Sequence, residues 1–60
     1  MSASGIQIIE GFLRDNDVAI GNEAPEVLLE RLEELRGNGV VVSSEIRKAV
    51  DEVKGILAAN

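Results

Sequence analysis

The chain has 60 residues, 11 acidic against 6 basic side chains, no cysteine, no histidine and a single aromatic residue, Phe12. This length fits one domain. The net charge of −5 argues against nucleic acid as a partner, because phosphate binding needs clustered basic side chains and single strands need aromatic platforms.

Neither a disulfide nor a zinc site built on His or Cys is available to staple so small a core. A core of this size leaves about 3–5 kcal/mol of net stability. Burial against a second copy or another protein is therefore the expected way to complete it, and a homo-oligomer, most simply a homodimer, is predicted. The apolar runs, such as Val40-Val41-Val42, are far too short to span a bilayer. The first residues lack the basic and apolar regions of a secretory signal. With no cysteine, the composition suits the cytoplasm.

Residues 1–4 read as a loose N-terminus, apart from Ser4, which with Gln7 forms a capping-box pattern. Residues 5–58 read as one small helical domain. The first helix is predicted from about Gly5 to Arg14, with Ile6, Ile9 and Leu13 recurring at the helical period and Ile8 and Phe12 beside them. A second is predicted from about Pro25 to Arg36. Proline suits a first turn, and Glu23 and Glu26 complement the positive end of the helix dipole. Its inner stripe is Val27, Leu28, Leu32 and Leu35, with Leu29 at the edge. The third is predicted from about Ser44 to Ala58. Its stripe is Ile46, Ala49, Val50, Val53, Ile56 and Leu57, leaving Arg47, Lys48, Asp51, Glu52 and Lys54 toward water.

The two joints between these helices resemble each other. Residues 13–23 align without gaps on residues 35–45, a repeat of 22 residues, with Leu13/Leu35, Arg14/Arg36, Asn16/Asn38, Val18/Val40 and Glu23/Glu45 identical. The pattern reads as one device used twice: a helix end, a left-handed turn, three β-favouring residues, and a small polar cap for the next helix. Gly37, and Asp15 in the equivalent place, are the expected left-handed residues. The element order is then α-β-α-β-α. The fold class is mainly α, with two very short extended segments that either pair as a minimal parallel sheet or merely connect helices.

The inventory of side chains leaves little chemistry. Without His, Cys, Tyr or Trp, the chain lacks the usual general base near neutral pH, the thiolate nucleophile, and the partner that activates serine. Lys48 and Lys54 fall on the polar face of the third helix, away from the apolar pocket that a nucleophilic lysine needs. The predicted protein is not an enzyme and has no catalytic residue, cofactor or metal. Asp15, Asp17 and Glu26 occupy three positions of a calcium-loop pattern, but Ala19 and Ile20 stand where a ligand and the required glycine belong. The aspartates read as turn residues instead. A helix-turn-helix DNA reader is excluded by the length of the second joint.

Two surfaces remain as candidates for a partner. Glu23, Glu26, Glu30, Glu33 and Glu34 are expected to gather on the outer face of the second helix with only Arg31 among them, where like charges four residues apart repel. The other is a remnant of the third stripe, Val53, Ile56 and Leu57. The expected function is a protein–protein interaction module, an adaptor, assembly or docking domain acting as a homodimer. The alternative is an acidic inhibitor, antitoxin-like or directed against a defence system, whose glutamate ridge occupies a basic site on its target. A solvated face that only keeps the protein soluble is the bland account of the same glutamates.

Overall fold

A computed structural model describes residues 3–59, and the expectation of a loose Met1 and Ser2 lies outside them. Three helices follow in order: α1 (Gly5–Asp15), α2 (Pro25–Gly37) and α3 (Ser44–Ala59). Each extends one residue beyond its expected end.

The helix starts show three local solutions to unpaired amides. At α1 the capping box is complete: the Ser4 hydroxyl accepts from the Gln7 amide, and the Gln7 side chain accepts from the Ser4 amide. The next free donor, the Gly5 amide, gives its hydrogen to Glu52 Oε2 of α3 at 2.7 Å. Gly5 is required there, because a Cβ would lie 2.8 Å from that carboxylate and 2.9 Å from the Ala49 carbonyl oxygen. At α3 the Ser43 hydroxyl accepts from the Ile46 amide. At α2 the cap is Ala24, with no side-chain acceptor, so Pro25 and Glu26 mark that start without a polar cap. The expected small polar cap is thus present at the second joint and absent from the first.

Helix ends are closed alike. The amides of Val18 and Val40 donate to the carbonyls of Leu13 and Leu35, and those of Asp17 and Gly39 to Arg14 and Arg36, all at 3.0 Å. This pair of bonds is the Schellman closure, which needs one left-handed residue. Asp17 (φ 63°) and Gly39 (φ 92°) supply it. Asp15 and Gly37 were the expected left-handed positions; they are instead the last helical residues. The closure places its left-handed residue after a C-cap that keeps negative φ, here Asn16 and Asn38.

Among the described residues there is no strand, so the pairing of the two short segments is not realised. Three residues each give too few ladder bonds to hold a sheet. The alternation of a strand does persist in the connectors. Val18 and Ile20 are half-buried around exposed Ala19, and Val40 and Val42 turn inward around Val41, which is 85% exposed.

The core collects Ile9 and Leu13 from α1, Leu28 and Leu32 from α2, Val42 from the second connector, and Ile46, Ala49 and Val53 from α3. It contains no buried polar or charged residue. Helices α1 and α3 pack most extensively, and α2 lies less closely against both. The radius of gyration, 10.9 Å, is near the ~10 Å of a compact chain of this length. The domain therefore closes a core from its own residues, and any second copy adds to that core from outside. No described helix is long and apolar enough to cross a membrane.

Candidate functional site

Because α2 turns Leu28 and Leu32 into the core, its opposite face is fixed toward solvent. Glu26, Glu30, Glu33 and Glu34 are exposed there and, with half-buried Leu29, line a shallow depression. The sequence places these four together correctly. Glu23 does not join them: it precedes the helix, is half-buried, and its Oε1 accepts from the Gly21 amide at 2.6 Å. Its carboxylate organises the first joint.

The ridge is also less uniformly negative than its spacing implies. Arg31 pairs with Glu34 and Arg36 with Glu33, each at 3.1 Å across three residues. Both pairs are about half exposed, so each contributes only a few tenths of a kcal/mol. They nonetheless neutralise the C-terminal half of the face. Among the described residues, Glu26 and Glu30 form no ion pair, and the N-terminal half keeps its negative charge.

The proposed apolar remnant of α3 separates into three environments. Val53 is 1% exposed and belongs to the core, Leu57 is half-buried against it, and Ile56 is 44% exposed. A helix that packs against two neighbours buries the middle of its stripe and exposes an edge, so one residue of the three is left at the surface.

A surface that the sequence reading scattered is assembled between α2 and α3. Leu32, Val42 and Val50 form the floor of a groove, with Arg36, Arg47, Asp51 and Lys54 along its rim. Arg47, Val50, Asp51 and Lys54 are three, four and seven residues apart, one stripe of α3. That spacing is the signal that could have found it. Arg36 could be placed beside them only once the crossing of α2 and α3 was known.

The arrangement defines the class: a three-helix domain that presents an acidic face bordered by Leu29 and, around the side of the same helix, a basic-rimmed groove. The acidic face is open and shallow, and Lys48 and Lys54 are both exposed. The chain matches no protein-family model, no curated protein and no solved structure.

Proposed function

We propose that this chain is a non-catalytic protein–protein interaction module that works in the cytoplasm, docking or assembling through α2 and acting as a homodimer. The observation that carries the reading is Leu29, half-buried at the edge of the core and bordering Glu26, Glu30, Glu33 and Glu34 on the outer face of α2. A partly exposed apolar residue beside a charged rim is a common element of recognition surfaces. The absence of His and Cys and the exposure of both lysines support a role without catalysis.

The unpaired Glu26 and Glu30 favour a second reading, an acidic inhibitor that occupies a basic site on its target. The two readings differ in salt dependence, because charge-driven association weakens steeply with ionic strength and apolar docking hardly changes. The test captures partners from the native lysate on the immobilised chain, at low and high salt, beside a Glu26→Gln/Glu30→Gln variant. Partners retained at high salt and by the variant fit the docking module. Partners lost under both conditions fit the inhibitor. If nothing is retained beyond what a scrambled peptide retains, both readings of the ridge fail.

A further inference from the structure

Three of the chain's six basic side chains, Arg36, Arg47 and Lys54, converge on the groove between α2 and α3, whose floor is apolar. On α2 itself, Glu26, Leu29, Glu33 and Arg36 fall on one stripe, acid at the start and base at the end. The eleven residues from Glu26 to Arg36 span ~15 Å of helix.

We propose that the groove receives α2 of a second copy, running antiparallel about a two-fold axis level with Arg31. This rests on the interaction-module reading above and names the surface and the occupant. Charge complementarity fixes the direction. Antiparallel helices set Glu26 of each copy opposite Arg36 of the other, and bring Glu30 toward the Arg47 and Lys54 rim. A parallel pair would oppose Glu26 to Glu26, which repels. The exposed Glu33–Arg36 pair can share its arginine with an incoming carboxylate at little cost, since such pairs are weak. Asp51 is the one acid on the rim and leaves it net positive. The two copies of Leu29, each half-buried in a single chain, flank the axis on either side. The contact is reciprocal, so two chains satisfy it and the assembly closes at a dimer.

The test is a charge swap read by sedimentation equilibrium and native mass spectrometry, with circular dichroism confirming that each variant stays helical. One variant is Glu26→Lys/Glu30→Lys and the other Arg36→Glu/Lys54→Glu. The wild type is expected to dimerise, and each variant alone to lose about ten-fold or more in self-association. An equimolar mixture of the two is expected to recover a heterodimer, because each mutated surface then meets its opposite charge. If the wild type dimerises and the variants do so equally well, the interface lies elsewhere and the docking-module reading survives. Failure of the mixture to pair also overturns the groove. A wild type that stays near 6.4 kDa at every accessible concentration removes the homodimer together with this inference.

Discussion

The two joints of the molecule share a backbone and differ in what they bury. At each, the amides of the left-handed residue and its successor return to the same two carbonyls of the preceding helix, at equal lengths. Yet Leu13, at the first, is 0% exposed, and Val18 and Ile20 pack on the core beside it. Leu35, its counterpart, is only half-buried, and it is Val42 of the following connector that enters the core. Local hydrogen bonding closes a helix without reference to the rest of the chain, whereas burial depends on what lies across from it. The first joint lies at the end of α1, which packs on both other helices. The second ends α2, the least embraced of the three. Its Arg36 stands on the basic-rimmed groove and Val42 on its floor. The second joint thus borders the surface proposed for a second copy.

The largest expected effect separates the two leucines. Leu13→Ala removes a fully buried side chain and should cost ~2–5 kcal/mol, enough to unfold most of a domain this small. Leu35→Ala should cost ~1–2 kcal/mol, because its side chain is already partly exposed. Chemical denaturation of both variants checks the difference, and equal costs would mean that the joints are equally buried.

A smaller effect, of opposite sign, sharpens the comparison of the left-handed residues. Asp17 holds positive φ with a Cβ and places its charge at the negative end of α1; Gly39 does neither. Asp17→Gly should therefore stabilise by about 1 kcal/mol, combining relief of the left-handed conformation with removal of an unfavourable charge. Asp17→Asn should recover only the electrostatic share, since asparagine keeps the Cβ. Thermal melts of the two variants divide the gain between its causes.

Much of the fold was legible in the residues, and the misses have specific causes. The capping box at Ser4 and the proline at the start of α2 are local signals, and the helix starts follow from them. The inner stripes located most of the core, because apolar periodicity reports a buried face directly. Of the two readings of the short segments, pairing is not realised, because β-favouring residues describe side-chain alternation, which Val40, Val41 and Val42 retain, and not the presence of a neighbour to pair with. Glycine at position 37 suggested a left-handed turn, but the hydrogen-bond count of the closure assigns that conformation two residues later. In the candidate site, the glutamates of α2 were legible from helical spacing, whereas Glu23 was misassigned because its carboxylate bends back to the Gly21 amide. The basic groove draws on two helices and a connector, and no spacing within one segment predicts their crossing.

The shared closure is tested most directly by two alanines placed two residues apart. Gly37 is the last helical residue of α2, and nothing lies within 4 Å of a Cβ built there, so Gly37→Ala should stabilise by ~0.4–1 kcal/mol. Gly39 sits at φ 92° with similarly open space around it, so Gly39→Ala should destabilise by about 1 kcal/mol through backbone strain alone. Thermal melts run side by side should move in opposite directions, Gly37→Ala upward and Gly39→Ala downward. The reverse order would place the left-handed residue at position 37 and contradict the common closure of the two joints.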